Sequence, residues 1–377
     1  MTPKVADFLR REALPTPCLV VDLDNIEANY RRLARLMPGA TIYYAVKANP
    51  AAPVLDRLVG LGSRFDVASL VEIEACIASG ADPRLMSYGS TVKKVSDIAR
   101  ARALGVDLYA FDSEAELDKL VAHAPGARVF CRIAVGNHGA RWPLSEKFGC
   151  SVAMAADLLV EAKRRGLDPV GLSFHVGSQQ VDPVTWDVAI ARSAMLFTDL
   201  ADRGIELKLL NLGGGFPVRY REPVPSLDSV AREIHAALNR HFGNRLPELM
   251  IEPGRAIAGT AGVIRSEVVL VARKDYGRPE RWIYLDAGKF GGLAEASGDA
   301  IDYPFRTRHD GGPAGPVVIV GPTCDGADVL YDANAGYELP LALAPGDTVD
   351  IIGTGAYTTT YASIGFNGFG PLKEYYI

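Results

Sequence analysis

The chain has 377 residues, 48% hydrophobic and 23% charged, with a net charge of −5, material for two or three globular domains. No Lys/Arg block or basic amphipathic stretch occurs, which excludes a nucleic-acid or membrane-surface binder, and no apolar run reaches the roughly 20 residues that span a bilayer. The N-terminal MTPKVADFLRREALPTP has no apolar core or A-x-A pattern, so no secretory signal is expected.

The next segment, PCLVVDLDNIEANYRRL, reads as one strand and one helix. From about residue 40 to 255, short β-branched and aromatic runs alternate with longer stretches rich in Ala, Leu, Glu and Arg. The strand candidates are TIYYAVK (41–47), RFDVAS (64–69), RLMSYG (84–89), DLYAFDS (107–113), RVFCRIAV (128–135), GLSFHVG (171–177), LKLLNLGGG (207–215) and LMIEPG (249–254). Helical patterns such as LVEIEACIASG, AADLLVEAKRRG and SLDSVAREIHAALNRHF separate them. Parallel strands each need a crossover, usually a helix, so eight such units predict an α/β fold of the (β/α)8 barrel type. A doubly wound open sheet is the competing arrangement, and the count of eight favours the barrel.

After about residue 262 the long helical patterns stop. GVIRSEVVLVARK, RWIYLDAG, GPVVIVGPT and DTVDIIGTGAYT predict an antiparallel β domain. We expect the leading strand to join that sheet. The domains expected are then a barrel of residues 30–262 and a discontinuous β domain of residues 1–29 with 263–377. Five cysteines (Cys18, Cys76, Cys131, Cys150, Cys324) form an odd set with no C-x-x-C spacing. They read as reduced thiols of a cytoplasmic protein, with no disulfide frame and no metal site.

The unusual residues gather at the C-terminal ends of the predicted strands, the face where this barrel builds its sites. Lys47 ends the first strand directly after an apolar run. Burying its charge unpaired is costly, so it is either a snorkelling rim lysine or a partly desolvated amine nucleophile for a carbonyl. Asp66 ends the second strand, Arg132 lies within the fifth and His175 ends the sixth; the last two interrupt runs that should be buried. Gly213, Gly214 and Gly215 end the seventh, where they form either a tight turn or a nest of backbone N–H groups for an anion. The eighth ends in Glu252-Pro253-Gly254-Arg255, which sets a cation beside that nest, at the usual phosphate site of such barrels. A carboxylate there, Glu252, can keep a pyridinium nitrogen protonated in pyridoxal phosphate, and the His175 ring can stack on its face. In the β domain, Gly321-Pro322-Thr323-Cys324-Asp325-Gly326 puts a thiol beside an acid, though an ordinary turn would look the same. GTGAYT is GxGxxT and opens no βαβ unit, so it is not a dinucleotide loop.

Taken together, YAVKAN, FDVAS, SFHVGSQ, LGGGFP, EPGR, GPTCDGAD, GAYT and FNGF occur in the order found in one family. Over nearly its whole length the chain resembles the ornithine decarboxylase branch of the alanine-racemase-like, fold-type III pyridoxal 5′-phosphate enzymes. The resemblance implies that Lys47 anchors the cofactor, with Asp66, Glu72 and Arg132 near it and His175 on its ring. It gives Ser178, Gly213, Gly214, Gly215, Arg255 and Tyr357 to the phosphate, and Glu252 to the pyridine nitrogen. It further implies a homodimer with active sites shared across the interface. Cys324, the proton donor, and Asp325, the partner of a distal ammonium, would come from the second subunit, with Phe366 lining the shared pocket and Lys147 in LSEKFG tied to the interface.

The activity implied is removal of the α-carboxylate from a small basic amino acid, L-ornithine foremost, giving putrescine. One segment departs from the family: GGLAEASGDAIDYP carries Gly298 where eukaryotic relatives have tyrosine, with Asp299 in place of the acid and Glu295 as a second candidate. A roomier pocket would admit L-lysine too. Diaminopimelate decarboxylase is the nearest rival, but Asp325 after the loop cysteine would repel a distal carboxylate. A racemase would need two opposed acid–base groups. A catalytically inactive decarboxylase-like regulator is the reading from another class, and retention of Lys47, Glu252, Arg255 and Cys324 argues against it.

Overall fold

The computed structural model describes residues 1–136, 138–143 and 147–377. Two compact units divide the chain: Glu27–Pro217 with Val224–Ala256, and Met1–Ile26 with Val218–Pro223 and Ile257–Ile377. In chain order, α1 (Pro3–Arg11), β1 (Cys18–Val21) and α2 (Leu23–Leu36) come first. Next are β2 (Ala40–Ala45), α3 (Ala52–Gly60), β3 (Arg64–Val67), α4 (Leu70–Ala78), β4 (Met86–Tyr88), α5 (Val95–Leu104), β5 (Leu108–Phe111), α6 (Glu114–His123) and β6 (Arg128–Arg132). Then follow β7 (Ala140–Trp142), α7 (Val152–Arg164), β8 (Asp168–Ser173), β9 (Ser178–Gln180), α8 (Val184–Asp202), β10 (Leu209–Asn211), α9 (Leu227–Phe242) and β11 (Glu248–Ile251).

In the first unit eight parallel strands close into a barrel in the order β2-β3-β4-β5-β6-β8-β10-β11, with β11 pairing back onto β2. The (β/α)8 expectation therefore holds, and the open sheet is excluded. Serines cap several of the crossover helices: the hydroxyls of Ser69, Ser113, Ser151 and Ser226 accept backbone N–H groups at the starts of α4, α6, α7 and α9. Inside the barrel, Tyr43, Leu108, Ala110, Phe130, Val170, Leu209 and Met250 pack into one buried apolar cluster. Strand side chains alternate faces, so the residue two positions on from a barrel-filling residue points inward one layer higher. That rule puts Arg132 above Phe130, Asn211 above Leu209 and Glu252 above Met250. Likewise Arg64 donates to the Tyr43 hydroxyl at 3.0 Å, which sets Asp66 on the inward face above it. The apolar cluster is the floor, and the polar layer faces the C-terminal mouth.

The second unit is built on a nine-stranded sheet. Its further strands are β12 (Gly262–Ala272), β13 (Arg281–Leu285), β14 (Phe305–Thr307), β15 (Ala314–Val320), β16 (Val329–Tyr331), β17 (Glu338–Pro340), β18 (Thr348–Ile352) and β19 (Lys373–Tyr376). Strand β1 pairs antiparallel with β12, Cys18 opposite Arg265, and α1 buries Val5 and Leu9 against Val20 and Val263. The sheet is mainly antiparallel; β1–β19 and β13–β15 are parallel pairs. No helix among the described residues is long and apolar enough to cross a membrane.

Candidate active site

Lys47 was expected to end a strand at position 47, but β2 stops at Ala45 and the next three residues, Val46–Ala48, form a 3-10 turn. Asn49 precedes Pro50, which disfavours helical backbone at Asn49 and limits the turn to three residues. Lys47 is exposed on that turn, not buried in the barrel floor. Its charge bears on Asp66, Glu72 and His175, so the amine belongs to the same rim.

Asp66 is buried, and burial pushes its carboxyl well above the usual range; the negative charge of Glu252 adds to that, while Lys47 opposes it. Its Oδ1 has no hydrogen-bond partner among the described residues. Glu72, raised mainly by burial, accepts the Ala68 N–H at 2.7 Å, and its own N–H is capped by Ser69, so it has a local structural task at the start of α4. Arg132 closes β6; its guanidinium lies 4.9 Å from the centre of the Phe148 ring and is influenced by Glu252, Asp112 and Asp66. His175 lies two residues beyond β8, later than the strand end expected for it. Its Nδ1 accepts the Gly177 N–H at 3.0 Å, and burial, then Arg132 and Lys47, drive its pKa well below the imidazole norm. The ring is therefore neutral, with the proton on Nε2.

The glycine run follows β10 and is packed on both sides. A Cβ on Gly213 would meet the Phe174 carbonyl oxygen at 2.3 Å, one on Gly214 the Glu252 carbonyl oxygen at 2.7 Å and His175 Nε2 at 3.1 Å, and one on Gly215 the Gly177 carbonyl oxygen at 2.7 Å. Gly213 and Gly215 also have positive φ, 66° and 97°, so the turn reading of these glycines holds as well as the close-approach one. The loop runs directly against His175 and Glu252. Beside it the buried Arg255 donates from Nη2 to the Ser178 hydroxyl at 3.2 Å, which brings together a guanidinium and a hydroxyl, both chemically able to bind an anion.

In the second unit, Cys324 and Asp325 are exposed, as are Asp299 and Phe366; Glu295 is buried. The loop carrying Cys324 is organised by Asp328, which accepts the N–H groups of Lys289 at 2.8 Å and Thr323 at 3.1 Å and the Thr323 hydroxyl at 2.7 Å. The Cys324 N–H donates to Asn367 Oδ1 at 2.8 Å, so the GPTCD and FNGF motifs meet. Next to that contact Phe290 and Phe366, ring centroids 4.7 Å apart, help line an apolar groove of about 320 Å³ with Pro322 and Thr323. Asp299, Tyr357 and Asn367 hold left-handed backbone at φ of 54°, 56° and 50°. Such strain in residues other than glycine concentrates at functional sites. Lys147 is exposed with its ammonium 5.1 Å from the Phe148 ring centre; the preceding Leu144, Ser145 and Glu146 of LSEKFG lie outside the described residues.

Residues 23–259 match the family described as "Pyridoxal-dependent decarboxylase, pyridoxal binding domain". The chain belongs to that family. This decarboxylase is 37% identical to the lysine/ornithine decarboxylase of Selenomonas ruminantium over 358 residues, 94% of this chain and 88% of that protein. SrLDC, crystallised with PLP and cadaverine, matches with a TM-score of 0.88 at 34% identity over 99% of this chain and 93% of that one. The arginine decarboxylase of Paramecium bursaria Chlorella virus matches with a TM-score of 0.90 at 28% identity, each chain covered in full. The enzyme is a fold-type III, pyridoxal-phosphate-dependent decarboxylase of basic amino acids.

The residues present fit that cofactor. A glycine cradle that any Cβ would fill, with Arg255 and Ser178 beside it, suits a phosphate. A neutral imidazole, an inward carboxylate at Glu252 and the unpartnered Asp66 Oδ1 suit a flat heteroaromatic ring between them. Sequence reasoning missed three residues of the decarboxylase. Asn211 bonds both the glycine loop and Glu252; Asp112 accepts the Gly149 N–H at 2.7 Å; Asp328 shapes the cysteine loop. The signal for Asn211 was its parity, two residues above Leu209 and two before Gly213.

Proposed function

We propose that this enzyme decarboxylates L-ornithine to putrescine, with L-lysine as a second substrate giving cadaverine. The observation that carries the reading is the exposed Asp325 directly after Cys324, with a second exposed carboxylate, Asp299, in the same unit. Acids here favour a side chain that ends in a cation, by charge-assisted hydrogen bonding, and disfavour one that ends in a carboxylate. Gly298 next to Asp299 leaves space that the extra methylene of lysine would use. The names of relatives, ornithine and lysine/ornithine decarboxylases, support the same pair of substrates.

In this reading the Lys47 amine holds the cofactor's aldehyde, Gly213–Gly215, Ser178 and Arg255 hold its phosphate, and Glu252 keeps its ring nitrogen protonated. When bound, pyridoxal phosphate supplies the electron sink that accepts the pair released as carbon dioxide leaves. His175, neutral and anchored through Nδ1, would lie against the ring and help to hold it. Arg132 and Asp66 set the charge around that plane. The chain works as a homodimer in which a second copy supplies Cys324 and Asp325. The Cys324 thiol delivers a proton to the substrate Cα, and Asp325 pairs with the distal ammonium, which sets the preferred length. The location proposed is the cytoplasm, where the odd, unpatterned cysteines stay reduced.

Carbon dioxide release by the purified, cofactor-loaded enzyme should be compared for L-ornithine, L-lysine, L-arginine and diaminopimelate. Ornithine should have the highest kcat/KM, with lysine slower by roughly 10- to 200-fold or less, the usual discrimination by one methylene. Faster turnover of arginine or diaminopimelate would refute the substrate assignment.

A further inference from the structure

Asn211 closes β10 and is completely buried. Its carboxamide is used at both ends. Oδ1 accepts the Gly213 N–H at 2.9 Å, and Nδ2 donates to Glu252 Oε1 at 2.5 Å. These neighbours leave one orientation, because a backbone N–H can meet only the oxygen and a carboxylate oxygen is best met by the amine. The main chain adds a second tie between the same segments: the Glu252 N–H donates to the Gly213 carbonyl at 2.8 Å. The mouth around Glu252 also holds Asp66, a like charge when ionised, and Arg132, an opposite one. A carboxylate between such neighbours has competing orientations unless a fixed donor selects one.

We propose that Asn211 is a positioning residue: its amide commits Glu252 Oε1, leaves the other carboxylate oxygen for the cofactor's ring nitrogen, and locks that carboxylate to the glycine loop that holds the phosphate. One side chain thus sets the spacing between the two ends of the cofactor site. The inference rests on the assignment of Glu252 to the ring nitrogen. A plain strand-end role is the alternative, in which Asn211 only satisfies the Gly213 N–H. The two differ in what Asn211→Asp does. An aspartate keeps an acceptor for Gly213 but replaces the donor facing Glu252 with an oxygen, so the pair must share a proton.

The test uses the dimeric holoenzyme and the cofactor-free protein, with Asn211→Asp, Asn211→Ala, Glu252→Gln and the Asn211→Ala/Glu252→Gln double variant. The measurements are kcat and KM for ornithine across pH, the visible absorption of the bound cofactor across pH, and the Kd of pyridoxal phosphate for the apoprotein. Asn211→Ala should lower kcat roughly 10- to 100-fold, the range for losing a hydrogen bond to a charged group, with a much smaller change in KM. Asn211→Asp should bind the cofactor yet lose kcat at lower pH than wild type, and its absorption should titrate at a shifted midpoint. The double variant should be scarcely worse than Glu252→Gln, since Asn211 acts through Glu252. If Glu252→Gln is damaging but Asn211→Asp matches wild type in pH profile and spectrum, or the two losses add in full, the positioning role of Asn211 is overturned and Glu252 keeps its assignment. If Glu252→Gln leaves both kcat and the spectrum unchanged, the assignment of Glu252 itself fails. Should Asn211→Ala not fold, Asn211→Asp carries the test alone.

Discussion

Replacing Gly214 with alanine is the sharpest perturbation of the cofactor cradle. Its backbone is outside the left-handed region, so alanine adds no conformational strain there, whereas Gly213 and Gly215 would add it. What remains is the new methyl group, 2.7 Å from the Glu252 carbonyl oxygen and 3.1 Å from His175 Nε2. The first distance is several tenths of an ångström short of an ordinary contact, and its partner is main chain that cannot rotate away. Relief requires the loop, Glu252 or His175 to move. Overpacking of this kind costs about 1–3 kcal/mol. If the strain is released by displacing the groups assigned to the cofactor, it appears as a roughly 5- to 150-fold rise in the Kd for pyridoxal phosphate. Fluorescence titration of the apoprotein measures that Kd, and urea unfolding of the apoprotein measures the part of the cost that stays in the fold. Gly60→Ala is the control, because Gly60 ends α3 with open space around its Cβ position; it should leave the Kd unchanged and alter stability by no more than about 1 kcal/mol. Unchanged cofactor affinity and stability in Gly214→Ala would refute the tight-cradle account.

Three further outcomes are expected. The buried ammonium of Lys93 pairs with Glu116 at 2.9 Å and donates to the Ala110 carbonyl at 2.6 Å, so Lys93→Met should cost about 1.5–3 kcal/mol in urea unfolding by removing one of the two cations that hold the buried Glu116 carboxylate, Lys119 being the other. Burial lowers the Lys93 pKa to about 8 from 10.5, so the unfolded chain binds the extra proton between those values. Stability relative to Lys93→Met should therefore rise with pH across that window, and a flat difference would contradict the assignment. Because His175 is held neutral, only the unfolded chain takes up its proton near 6.5. Wild type should lose stability as pH falls below about 6.5 by an amount missing from His175→Phe, and equal pH slopes would count against it. Mixing inactive Lys47→Ala with inactive Cys324→Ala chains should restore up to roughly 25% of activity, as expected when half of randomly exchanged dimers are hybrids with one intact site; absence of recovery after confirmed subunit exchange would rule out a shared site.

Much of the barrel was legible because each strand carries a local signature. Runs such as TIYYAV are too apolar for an exposed element, and Ser69 and Ser113 mark the helices that follow β3 and β5. Strand ends were less legible. Lys47 and His175 sit in apolar runs that continue past the point where pairing stops: Val46 and Ala48 flank the one, Phe174 and Val176 the other, and all four are buried beyond the ladder. Asn211 was overlooked for a different reason: a polar residue at a strand end looks like a turn, its parity with Leu209 shows only that it faces inward, and the bonds to Gly213 and Glu252 give it a task. Asp328 likewise works through bonds to Thr323 in its own loop and to Lys289, which comes from a distant turn of the chain. The parallel pairing of β13 with β15 left no trace either, since a single strand's alternation does not encode its partner's direction.

The central claim is that one amine, Lys47, carries the cofactor. Borohydride reduction of the holoenzyme, followed by proteolysis and mass spectrometry, tests it directly. The account predicts a phosphopyridoxyl group fixed on the peptide containing Lys47 and absent from Lys47→Ala. A stoichiometric label on Lys93, Lys147 or any other lysine, with Lys47 unmodified, would contradict it.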